Sequence, residues 1–87
     1  MKYIRNQNME FLDIDEENLA VYDNESGDTH YIDATGKVIL EILQEETAYD
    51  DLIAQLCERY AATEEEISDD VQTFLTELVS KKVVVCS

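Results

Sequence analysis

Hydrophobic positions change their period once along this chain. Up to Ile32 they fall in short runs of β-branched and aromatic residues. From Thr35 onward Val38, Ile39, Ile42 and Leu43 recur at helical spacing. Asp33 lies at the junction, where its carboxylate can accept from unpaired amides of a first helical turn. Upstream, Met9 to Ile14 predicts a strand built on Phe11, Leu12 and Ile14, and Asp15-Glu16-Glu17-Asn18 reads as a turn. Leu19 to Tyr22 predicts a second strand, with Leu19 and Val21 on one face and Ala20 and Tyr22 on the other. The strongest turn signal is Asp23-Asn24-Glu25-Ser26-Gly27-Asp28, with glycine available for positive φ. Thr29 to Ile32 returns as a third strand, which completes an antiparallel meander. Residues 1 to 8 carry no pattern beyond Tyr3 and Ile4.

The second half reads as helices. The first runs from about Ala34 to Gln44 and breaks at Glu45-Glu46-Thr47. Thr47, with Asp50 three residues on, offers a start for a second helix over roughly Ala48 to Tyr60, which would bury Leu52, Ile53, Leu56 and Tyr60. Thr63-Glu64-Glu65-Glu66 is a full capping box. The helix behind it extends to about Ser80 on a stripe of Ile67, Val71, Phe74, Leu75, Leu78 and Val79. Acidic residues in its first turns and Lys81-Lys82 at its end suit the helix dipole, and Val83 to Cys86 is a β-prone tail. The predicted fold class is α+β and winged helix-turn-helix-like: a three-stranded antiparallel sheet followed by three helices.

Eighty-seven residues accommodate one domain over residues 1–87, and the 45% hydrophobic content is that of a folded chain. No apolar run approaches the roughly 20 residues needed to span a bilayer, and the N-terminus lacks an apolar signal core, so a cytoplasmic location is expected. Charge changes the picture more than composition does. Lys2, Arg5, Lys37, Arg59, Lys81 and Lys82 face 21 carboxylates, for a net charge of −15. Such a surface repels nucleic acid and anionic membranes and suits a neutral or basic partner.

No catalytic constellation emerges, so neither an enzyme nor a cofactor or metal site is expected. His30 is the single histidine, and a lone histidine on a strand is ordinarily a half-buried structural residue. Cys57 and Cys86 have neither the spacing of a metal site nor the density of a disulfide scaffold. Asp69-Asp70 and Glu64 to Glu66 are acids near a helix start, where the dipole favours them. The turn at Asp23 to Asp28 lacks the ligand spacing and closing glutamate of an EF-hand. An acyl carrier would need Asp-Ser-Leu at a helix start, and Ser68 lies between Ile67 and Asp69. A DNA-reading winged helix would carry its third helix into the major groove, yet this helix presents Glu64, Glu65, Glu66, Asp69, Asp70 and Glu77.

The run Glu25 to Ile32, followed by Asp33-Ala34-Thr35-Gly36-Lys37-Val38-Ile39-Leu40-Glu41-Ile42-Leu43, resembles PqqD-like proteins, the precursor-peptide recognition domains of ribosomally made, modified peptides. Tyr49 to Leu56, Tyr60, Asp69-Asp70-Val71, Phe74-Leu75 and Leu78 extend the resemblance over about residues 9–85. Asp33 stands where many relatives carry asparagine, and either residue caps a helix. The resemblance implies a non-catalytic peptide chaperone. An exposed edge strand can also support a dimer, so monomer and homodimer both stay open. The leader segment of a precursor peptide would add as a strand beside Thr29, His30, Tyr31 and Ile32, in a cleft closed by Asp70, Thr73, Phe74 and Glu77 of the third helix. A modifying enzyme such as a radical enzyme, a cyclase or a leader protease would be the second partner. The alternative is a winged-helix interaction or regulatory domain for another protein.

Overall fold

The computed structural model describes residues 1–87. In chain order the elements are β1 (Lys2–Arg5), β2 (Met9–Asp13), β3 (Leu19–Asp23), β4 (Thr29–Ile32), α1 (Ala34–Ile42), β5 (Thr47–Ala48), α2 (Tyr49–Tyr60), α3 (Glu64–Ser80) and β6 (Val84–Cys86). The meander forms as expected, an antiparallel sheet in the order β2–β3–β4. A second small sheet, ordered β5–β1–β6, joins both chain ends to the α1–α2 connection.

Local chemistry explains most of the boundaries. Asp15 closes the β2–β3 turn by accepting the amides of Glu17 and Asn18, each at 2.8 Å. Asp23 does the same for Glu25 at 2.9 Å, and Gly27 takes φ +78°, where a side chain would be strained. Asp33 caps α1 by accepting from the Gly36 amide at 3.0 Å. Thr63 and Glu66 form the capping box of α3 in both directions.

Four details differ from the sequence reading. β2 ends at Asp13, and Ile14 is 53% exposed. α1 ends at Ile42, two residues short of Gln44, where Leu43 turns back to the Ile39 carbonyl. Thr47 caps nothing: pairing with β1 takes it into β5, and its hydroxyl donates to the Glu45 carbonyl. The cap residue of α2 is Ala48, and the exposed amide of Tyr49 is satisfied by the Met1 carbonyl at 3.0 Å. Tyr60 is not buried but 45% exposed at the end of α2, where Ala61 leaves the helix with φ 50°.

The core lies where the meander meets the helices. Val21 and Ile32 of the sheet join Ile39, Leu40 and Leu43 of the α1 region. Leu52 and Leu56 of α2 and Val71, Leu75 and Leu78 of α3 complete it, with Val83 and Val84 below. Each such side chain contributes roughly 1.5–3 kcal/mol by leaving water. Lys37 ties α1 to the β2–β3 turn: its ammonium donates to the Asp15 carbonyl at 2.8 Å and lies 3.3 Å from the Asp13 carboxylate. No helix is long and apolar enough to cross a membrane.

Candidate functional site

β4 is an edge strand whose only partner is β3. The Asp23 amide donates to the Asp28 carbonyl, and register pairs Val21 with His30 and Leu19 with Ile32. On the other side of β3, the Ile14 amide donates to Asn18, so even-numbered β3 residues bond to β2 and odd-numbered ones to β4. The backbone groups of His30 and Ile32 are therefore spent on β3. Those of Thr29 and Tyr31 point outward, along an edge that no other strand covers.

Side chains alternate across the same strand. Ile32 is buried at 6% exposure and His30 is half-buried on the core-facing side, while Thr29 is exposed and Tyr31 is 77% exposed on the other. His30 makes no side-chain hydrogen bond or ion pair, in keeping with a packing role.

The end of β4 meets α3 at Gly36. A Cβ on this third residue of α1 would strike both the Phe74 ring and the Ile32 side chain. The absence of a side chain there lets the Phe74 ring rest against α1, so strand edge and helix flank converge on one seam.

Beyond Phe74 a cavity of about 220 Å³ opens between the three helices. Its floor is apolar, from Ile39 of α1, Leu56 of α2 and Val71 of α3. Thr35, Tyr60, Ile67, Asp70 and Phe74 complete the lining. Of the four α3 residues expected at the cleft, Asp70 and Phe74 thus meet here. Thr73 and Glu77 line a separate shallow polar depression with Asp69, Gln72, Thr76 and Ser80. Glu77 accepts a hydrogen bond from Lys81 at 2.9 Å. By helical spacing Asp70, Phe74 and Glu77 still share one flank of α3.

The sequence reading assigned Ile39, Tyr60 and Ile67 to the buried faces of the helices and placed neither them nor Thr35 at the site. The signal present was the i, i+7 pair Ile67 and Phe74, which extends the apolar stripe of α3 past what the core covers: both are half-buried, against full burial of Val71, Leu75 and Leu78.

An α+β module of winged-helix-like build, with one open strand edge whose Ile32 end meets the Phe74 ring of α3 and an apolar cavity beside that ring, is the class this geometry defines. The chain belongs to the family described as coenzyme PQQ synthesis protein D (PqqD), whose profile matches residues 18–84. The fold is shared with the solved structure described as TbiB1 in complex with the TbiA(beta) leader peptide. That match has a TM-score of 0.84 and 19% sequence identity, over 97% of this chain and 96% of the other. Comparison with curated proteins finds no match.

Proposed function

We propose that this protein binds the leader segment of a ribosomally made precursor peptide and presents it to a modifying enzyme or leader protease. It carries out no chemistry itself and works in the cytoplasm, where such peptides are made. The observation that carries this reading is the pair of outward-facing backbone positions, Thr29 and Tyr31, on an open edge opposite the Phe74 flank of α3. An extended peptide added there gains main-chain hydrogen bonds at every second residue, and its alternate side chains turn toward α3. Family membership and the leader-bound state of TbiB1 support leader binding.

The test is amide exchange with and without a synthetic leader peptide. Added protection is expected at Thr29 and Tyr31, whose amides are free in the isolated protein, and none along the outer edge of β2. Tyr31→Pro removes an outward donor without breaking the β3–β4 ladder and should weaken leader binding at least tenfold, whereas Tyr31→Val should largely retain it. Protection confined to α2, or a proline variant that binds as well as the parent, would contradict strand addition.

A further inference from the structure

The cavity beside Phe74 has a composition that says what enters it. At about 220 Å³ it is smaller than the pockets that enclose whole small-molecule ligands, roughly 300–1,000 Å³, and matches one long side chain. Ile39, Leu56 and Val71 make a floor that is 0–4% exposed and offers no polar partner. The mouth differs. Asp70 is the single ionisable carboxylate in the lining, and it makes no ion pair or hydrogen bond within the protein. Tyr60 and Phe74 bring two aromatic rings to the same cavity.

We infer that this cavity is a specificity pocket for an arginine-type side chain of the bound peptide. The inference rests on the leader-binding reading and names what that site selects. An aliphatic stem can lie along the Ile39–Val71 floor while the cationic head stays at the rim. There the Asp70 carboxylate accepts charge-assisted hydrogen bonds, and the ring faces of Tyr60 and Phe74 attract the cation. A planar guanidinium satisfies both geometries at once, and an ammonium satisfies them less well. A neutral apolar side chain would fill the floor but leave Asp70 partly desolvated with no partner, and an acidic one would be repelled. The net charge of −15 steers a basic segment toward this surface. A strand added to β4 supplies the right presentation, because its helix-facing side chains continue the row of His30 and Ile32 toward Phe74.

Three blocked heptapeptides of one strand-forming sequence, Ac-Thr-Val-Thr-X-Thr-Val-Thr-amide, provide the test. X is arginine, citrulline or leucine; citrulline keeps the shape of arginine without its charge. Affinity is measured by titration of the intact, isotope-labelled protein, which also reports where each peptide lands. The arginine peptide should bind roughly five- to tenfold more tightly than the citrulline one, with shifts at Ile39, Tyr60 and Phe74. In Asp70→Asn, an exposed position in mid-helix, that ratio should fall to about one while the far-ultraviolet spectrum stays unchanged. Equal or tighter binding by leucine or citrulline, an arginine preference that survives Asp70→Asn, or no binding by any peptide would overturn the inference. Amide protection at Thr29 and Tyr31 is read in the same samples. Protection without discrimination at X rejects the pocket and keeps strand addition; discrimination without protection does the reverse.

Discussion

Gly36 shows how much one missing side chain settles. In an ordinary helix interior, replacing glycine by alanine gains about 1 kcal/mol from backbone entropy. Here the new methyl would enter space held by the Phe74 ring and by Ile32. Phe74 is half-buried and can swing away, but Ile32 is fixed in the core, so overpacking of about 1–3 kcal/mol outweighs the helix gain. Gly36→Ala should lower stability by about 1 kcal/mol net and displace the Phe74 ring from the seam. A raised denaturation midpoint would mean that the ring moves aside freely. Asp15 and Asp23 act at the same scale. The Glu17 amide holds the Asp15 carboxyl below the usual carboxylate range, with Asn18 adding to the effect, and the Glu25 amide does the same for Asp23. Groups with depressed folded pKa values stabilise above their unfolded pKa and lose that contribution as pH falls through the folded one. Both hairpin turns should therefore hold at neutral pH and loosen only below pH 3.8, seen as a fall in the protection of the Glu17 and Glu25 amides relative to their intrinsic exchange rates. Loosening already at pH 5 would contradict those hydrogen bonds.

At the scale of elements, α3 carries the heaviest load, since it supplies Val71, Leu75 and Leu78 to the core and Asp70 and Phe74 to the cavity. Its capping box was legible because all of its parts lie within four residues, Thr63 to Glu66. Thr63→Ala should cost roughly 0.5–2 kcal/mol, measured as a lower denaturation midpoint; an unchanged midpoint would mean that the first turn of α3 contributes nothing to the core. The same locality separates what could be read from what could not. The meander, the Asp33 cap and the three helices rest on periodicity and on contacts a few residues apart. β1 is a strand because Tyr3 and Ile4 pair with Cys86 and Val85 at the far end of the chain, and nothing near residues 2–5 announces that. The false cap at Thr47 has the same origin: a plausible local motif lost to pairing with Tyr3. The cavity was half legible. Phe74 and Asp70 were expected at the cleft, but its other walls come from α1 and α2, and only packing shows that Thr35, Ile39 and Tyr60 converge on them.

For the whole molecule, fold and charge point in different directions, and we expect charge to decide. A winged-helix-like arrangement is compatible with DNA binding, and fold by itself does not fix function. Affinity for a duplex, however, rests on lysine and arginine displacing condensed counterions. The third helix instead exposes Glu64, Glu65, Glu66, Asp69, Asp70 and Glu77. Lys81 is already engaged by Glu77 and Lys2 by Glu46, while Lys37 is held against Asp13 and Asp15. With a net charge of −15, no face presents enough free cations to track a phosphate backbone. Salt makes this sharply testable. Lowering ionic strength from about 0.15 M to 0.01 M lengthens the screening distance from roughly 8 to 30 Å, which strengthens attraction and repulsion alike. A DNA-binding protein gains affinity over that range, whereas this one should show no anisotropy change with a labelled duplex at either end. A basic strand-forming peptide should behave oppositely and bind more tightly as salt is removed, because its partner surface is acidic. Duplex binding that grows as salt falls would show that the shape of the fold, rather than its charge, governs what this protein recognises.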